Sequence, residues 1–239
     1  MTDNLLVVLP VIAPSPTDVC VESLLAPNNA FEVSTEDILV VDNSRDGFAG
    51  RYGLRVHRDA DGHNLGVAGA WNVGAREVMD RNLEYLVILS ASMRFGPILH
   101  TTWRRQMQSF WGADVIEADG HSWHLVALHR RLFDLVGLFD ENFWPGYFEQ
   151  IDWCRRLHVL GREGAWPRVW VNALSQGSGM ALSHTDCPAG PLLDYYREKW
   201  GGDKGEEAFV MPWGDKPMGT WERPAIPEMA RAYGLGVWW

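Results

Sequence analysis

The clearest pattern in the chain is a set of short, uninterrupted apolar runs separated by segments with helical spacing. Leu5-Leu-Val-Val-Leu9, the apolar part of Asp37–Asp46 and Tyr85-Leu-Val-Ile-Leu89 each read as a buried strand. Leu54–His57 adds a short strand, and Trp123–His129 and Trp166–Val171 two more. Between them lie helix candidates. Thr17 is placed to cap one that runs through Cys20 and Leu24, and another runs through Val78 and Met79. The spacing also predicts helices over Arg94–Trp111, interrupted near its start by Pro97, over Arg130–Val136 and over Pro188–Trp200, which Gly201-Gly202 stops. Phe209–Trp239 shows no clear periodicity and reads as an irregular tail. Strand–helix alternation of this kind predicts an α/β fold with a mostly parallel sheet in one domain over residues 1–205, with 206–239 packed on it as an extension.

Composition narrows the class. At 239 residues, 46% hydrophobic and 22% charged, the chain can bury one substantial core. No apolar run approaches the roughly 18 residues of a membrane span, and Leu5–Pro10, with Asp3 before it, is too short for a signal segment. Cys20, Cys154 and Cys187 are scattered, which argues against a disulfide framework or zinc site and suggests a reducing, cytoplasmic setting. A net charge of −10 disfavours general nucleic-acid affinity. Thirteen tryptophans, several on loop-like segments, suggest flat ligands such as bases or sugar faces.

The polar groups with chemical potential follow strands, where open α/β sheets place their ligands. Asp42 ends the second strand, although Asp-Asn-Ser is equally a turn opening. Asn64-Leu-Gly-Val-Ala-Gly-Ala-Trp-Asn-Val-Gly74 is small enough for close approach of a ligand or of another backbone, and it could front a helix N-terminus as a phosphate cradle. Ser90-Ala91-Ser92 closes the strand at Leu89. Glu149 and Asp152 sit three apart where a Pro/Gly loop becomes a helix, among Phe143, Trp144, Tyr147, Phe148 and Trp153. Spacing alone favours acids complementing a helix N-terminus. Aromatic walls around a carboxylate also suit a ligand pocket.

Taken in order, these segments resemble the family 2 glycosyltransferases of GT-A fold, including rhamnosyltransferase-like and phage-encoded members, over roughly residues 5 to 205. Val40-Val-Asp-Asn-Ser44 resembles the strand-end Asp motif, and the Asn64–Gly74 run resembles the signature Asn-x-Gly-x-Ala-Gly-x-x-Asn-x-Gly. Gly137–Phe143 with Tyr147–Leu157 is similar to the acceptor-side segment with its Glu-Asp-x-Asp pattern. Tyr195–Gly202 looks like the helix that follows it. The resemblance implies a nucleotide-sugar site at Pro10, Asp42, Asn43, Asn64, Gly66, Gly69, Asn72, Ser90, Ala91 and Ser92. It implies an acceptor site at Trp144, Tyr147 and Trp153, with core an equal reading for Trp153, and a catalytic carboxylate at Glu149 or Asp152. It also implies a divalent ion, Mn²⁺ or Mg²⁺, near Ser92 and His184.

Two positions depart from the pattern. Ser90-Ala91-Ser92 stands where relatives carry a metal-holding Asp-x-Asp, and hydroxyls bring no charge to offset dehydrating the ion, which puts a metal in doubt. Gln150 stands where relatives carry an acid, so the base falls to Glu149, with Asp152 second. The expected activity is inverting transfer from a nucleotide sugar, a UDP-sugar favoured, to an acceptor hydroxyl on a glycan, protein or modified base. Alternatives are a phage-type transferase acting on a modified DNA base, with Arg51, Arg55, Arg58, Arg104 and Arg105 as its basic patch, and an inactive nucleotide-sugar-binding module.

Overall fold

The computed structural model describes residues 4–12, 14–45, 47–48, 51–175, 189–221 and 225–232. Its strands are β1 (Leu5–Val11), β2 (Ile38–Asp42), β3 (Arg55–His57), β4 (Tyr85–Leu89), β5 (Met93–Phe95), β6 (Val115–Ala118), β7 (Ser122–His129), β8 (Arg168–Val169) and β9 (Ala173–Ser175). The helices are α1 (Pro14–Leu25), α2 (Gly66–Asp80), α3 (Trp103–Gln108), α4 (Arg131–Val136), α5 (Glu149–Val159), α6 (Ala189–Trp200) and α7 (Ile226–Ala232).

Seven strands form one sheet in the order β3-β2-β1-β4-β7-β6-β8, and β5 and β9 pair separately. The β1–β4 strands are mutually parallel, and β7 runs antiparallel between β4 and β6. The fold is therefore a single mixed α/β domain with a mostly parallel sheet. The apolar runs are unbroken because both faces of the sheet are covered. Leu5, Val7 and Leu9 enter a core with α1 and Trp103, while Leu6 and Val8 enter one with α2, α5 and the tail residues Ile226 and Met229. The strand order departs from β1 in both directions, toward β2 on one side and β4 on the other. That switch between β1 and β4 opens a crevice at the carboxyl edge of the sheet.

Three expectations are corrected. The helix expected over Arg94–Trp111 is confined to α3: Met93–Phe95 pairs with β9, Pro97 has no N–H to give, and Thr102 Oγ1 caps the helix by accepting Arg105 N–H at 3.3 Å. The small-residue run does not precede a helix as a loop. From Gly66 onward it is the first part of α2, and a Cβ on Gly74 would lie 2.8 Å from Val8 Cβ, so its smallness serves close docking of helix on sheet. The tail is not wholly irregular, since α7 forms within it and packs into the core. No helix among the described residues is long and apolar enough to cross a membrane.

Candidate active site

At the β1/β4 switch lies a cleft of about 410 Å³. Pro10 and Ile12 from the end of β1, Ser90-Ala91-Ser92 after β4, and Ser122-Trp123-His124 at the start of β7 form three of its sides. The fourth carries Trp71 of α2 together with Tyr147, Glu149 and Gln150 at the entry to α5. Because β7 is antiparallel, its first residues meet the last residues of β4, and Ser90 N–H donates to the His124 carbonyl at 2.8 Å.

Among the described residues that line this cleft, Glu149 is the one with a carboxyl group. Its side chain is buried, and Oε2 has no hydrogen-bond partner. Burial raises its pKa from the usual carboxylate value to about 8, against the lowering effect of its own N–H and that of Tyr147. The two residues before it, Tyr147 and Phe148, both hold left-handed backbone, at φ 78° and 69°. Such conformations cost about 1–3 kcal/mol each in side-chain-bearing residues and gather at functional sites. They turn the chain so that Glu149 enters the helix facing the cleft.

On the opposite wall three polar side chains form a chain. Ser90 Oγ lies 2.8 Å from Ser92 Oγ, which lies 3.3 Å from His124 Nδ1. Burial, with a smaller effect of His121, lowers the pKa of His124, so its ring is neutral at neutral pH. Trp71 and Trp123 stack beside this wall, with ring centroids 5.8 Å apart and planes at 28°. Sequence reasoning passed over Trp71, Trp123 and His124. Trp123 and His124 read as strand interior in the sequence, and their place at the cleft depends on the direction of β7.

Of the sequence-predicted site residues, Pro10, Ser90, Ala91, Ser92, Tyr147 and Glu149 line the cleft. The other described ones lie elsewhere. Asp42 is buried, and both its oxygens are occupied: Oδ1 accepts Ser44 N–H at 2.9 Å and Ser44 Oγ at 2.6 Å, and Oδ2 accepts Phe48 N–H at 2.6 Å and Arg58 at 2.8 Å. Burial alone would raise its pKa, but these bonds outweigh it and hold the carboxyl below its usual value. Asn43 bridges Gly66 O and Leu65 N, and Asn64 accepts the Gly66 N–H. Gly66, at φ 72°, leaves no room for a Cβ, which would meet Trp144 Cδ1 at 2.8 Å. On Gly69 a Cβ would meet Leu65 Cβ at 3.0 Å. Asn72 exchanges bonds with both backbone groups of Phe139 and donates to Glu141 Oε1 at 2.8 Å.

Asp152 faces away from the cleft and is fully buried. It pairs with Lys199 at 2.7 Å and Arg156 at 2.9 Å, and accepts Trp200 Nε1 at 2.8 Å. Those cations outweigh desolvation and keep it ionised. Lys199 is also 2.7 Å from Asp140, so the network ties α6 to the loop before α5. Trp144 and Trp153 are buried, donating to Asn64 O at 2.8 Å and Gly137 O at 3.2 Å. His184 falls outside the described residues.

The basic patch is neutralised where its side chains are described: Arg55 pairs with Glu77, Arg58 with Asp42, Arg104 with Asp37 and Arg105 with Glu32. Among the described residues one group could gather ligand atoms around a metal, Asp59, Asp61 and His63 on the loop between β3 and α2. None of the three lines the cleft.

No protein-family model and no curated protein sequence matches the chain. Solved structures do. One is the mannosyltransferase PcManGT from Pyrobaculum calidifontis, in complex with GDP-Man and Mn²⁺, at TM-score 0.52 and 13% identity over 73% of this chain. The chain spans 58% of the length of that enzyme. Others are S. aureus TarS 1–349 in complex with UDP, at TM-score 0.46 and 12% identity over 84% of this chain and 73% of that one, and GalNAc-T7 with UDP, GalNAc and Mn²⁺, at 0.44 and 12% over 97% and 55%. The fold is that of the GT-A glycosyltransferases.

Proposed function

We propose that the chain is a nucleotide-sugar-dependent glycosyltransferase of the family 2 type that transfers a hexosyl group with inversion. The observation that carries this reading is Glu149: the one buried carboxyl among the described residues of the strand-switch cleft, with an unpartnered oxygen and an ionisation midpoint raised to about 8. A general base works best when its pKa lies close to the operating pH, and burial supplies that tuning here. Once ionised, Glu149 takes the proton of the acceptor hydroxyl as that oxygen attacks the anomeric carbon. The bond to the nucleoside diphosphate breaks on the opposite face, and the diphosphate leaves with the bonding electron pair. Trp71, Trp123 and Tyr147 offer flat faces for sugar rings. The likeness to a GDP-Man-bound mannosyltransferase supports the donor class.

The Mn²⁺ of that relative raises the question whether this cleft suits a divalent ion. Its described polar lining is hydroxyls, a neutral imidazole, the Gln150 amide and a single carboxyl, Glu149. Hydroxyls stand at the carboxyl end of β4 where carboxylates would be needed, so the described lining is a poor fit to Mn²⁺ or Mg²⁺, which bind through ionised carboxylates.

The reading is tested by incubating wild type and Glu149→Gln with UDP-, GDP- and TDP-hexoses and measuring nucleotide release. Wild type should consume at least one donor. Glu149→Gln should be slower by about 10²–10⁴-fold, the usual contribution of a general base. Equal rates in the two proteins would overturn the assignment.

A further inference from the structure

The misfit between the cleft and a divalent ion has a structural counterpart in what replaces it. The carboxyl end of β4 carries hydroxyls, and they are organised. Ser92 N–H donates to Ser90 Oγ at 3.3 Å, the two hydroxyls are 2.8 Å apart, and the chain ends 3.3 Å away on His124 Nδ1. When Ser90 donates to Ser92 and Ser92 donates to Nδ1, the proton of the neutral ring resides on Nε2. The imidazole is then a hydrogen-bond donor on the cleft wall, oriented by the serines behind it. The Ser90 N–H to His124 carbonyl bond fixes the His124 backbone against the end of β4.

Resting on the transferase reading above, we propose that the donor's diphosphate is held here by the His124 imidazole N–H, which Ser90 and Ser92 orient, with no divalent cation. Hydrogen bonds to an anion are the stronger kind, so a pre-oriented N–H can hold a phosphate oxygen in a half-buried cleft. The Asp59–Asp61–His63 group does not compete for this role, since it lines no part of the cleft.

The test is equilibrium binding of UDP and GDP by calorimetry, in EDTA and then in millimolar Mn²⁺, with thermal unfolding to verify that each variant is folded. Wild type should bind the preferred nucleotide equally in both buffers, within about threefold. His124→Ala should bind at least about tenfold more weakly, the equivalent of one hydrogen bond to a charged group, and His124→Gln, which keeps an N–H donor, should recover much of that loss. The double variant Ser90→Asp/Ser92→Asp should bind poorly in EDTA and regain affinity when Mn²⁺ is added.

Wild-type affinity that rises tenfold or more with Mn²⁺ would overturn the metal-free inference and leave the transferase reading standing. Unchanged affinity in His124→Ala would overturn it as well. Absence of binding by any nucleotide or nucleotide sugar in either buffer would remove both.

Discussion

Two groups of polar residues stand at the carboxyl edge of the same sheet, and they differ in what their hydrogen-bonding groups are free to do. Around Asp42, Asn43, Asn64 and Asn72, side-chain oxygens and amides are committed to protein partners. Around Ser90, Ser92, His124 and Glu149, a carboxylate oxygen has none and a serine–imidazole chain ends on an open wall. Both groups look like ligand contacts in one dimension. In the first group Asp42 closes its own turn and holds Arg58, Asn43 and Asn64 hold the start of α2, and Asn72 ties α2 to the loop before α5, whereas the second group faces the cleft beside aromatic rings. Unspent polar capacity, rather than polarity, separates a candidate site from a scaffold.

The contrast can be broken by mutation, and the largest effect belongs to the buried ion network. Asp152→Ala leaves Lys199 and Arg156 with less compensation in a fully buried setting, and should cost about 3–5 kcal/mol in chemical denaturation. A loss below about 1 kcal/mol would show that the network is not structural.

Next comes Glu149→Gln, which should stabilise the protein at high pH. The carboxyl's folded pKa of about 8 lies above its ordinary value of 4.5. The folded state therefore binds more protons between those values, and the stability linked to this group, complete below pH 4.5, is lost as pH rises through 8. Glu149→Gln removes that loss, so its melting temperature should exceed that of wild type at pH 9, by the equivalent of a few kcal/mol. The gap should close toward pH 5. A pH-independent difference would mean that the group titrates normally.

A smaller effect is expected at Asn72→Ala, which strands both backbone groups of Phe139 and should cost about 1–3 kcal/mol. In the fraction that folds, nucleotide affinity measured by calorimetry should be unchanged, because Asn72 does not line the cleft. Weakened affinity in folded Asn72→Ala would move the nucleotide site toward α2.

Much of the fold was legible because its strands are buried on both faces and therefore unbroken apolar runs, as Leu5–Leu9 and Tyr85–Leu89 are. Less legible was any feature set by a partner distant in sequence. Asp152 reads as an N-terminal helix acid, and only the return of α6 brings Lys199 and Trp200 onto it. Trp144 and Trp153 occur in a loop-like, polar context, yet both are core, while Trp71 and Trp123 line the cleft. Aromatic content marks a ligand-sized wall without saying which ring faces it. His124 was hidden because sequence does not report strand direction: in a parallel strand it would lie at the opposite edge of the sheet. For Glu149, the loop-to-helix position and its aromatic neighbours could be read directly, but its burial and raised pKa could not.

The central claim, that Glu149 is an unspent carboxyl acting as a base, is tested most directly by the pH dependence of kcat/KM for donor turnover. That parameter follows ionisations of the free enzyme. The account predicts an acid limb with a midpoint near pH 8, rising as Glu149 loses its proton, and its disappearance in a much slower Glu149→Gln. A limb that persists unchanged in Glu149→Gln, or a variant as fast as wild type throughout, would contradict it.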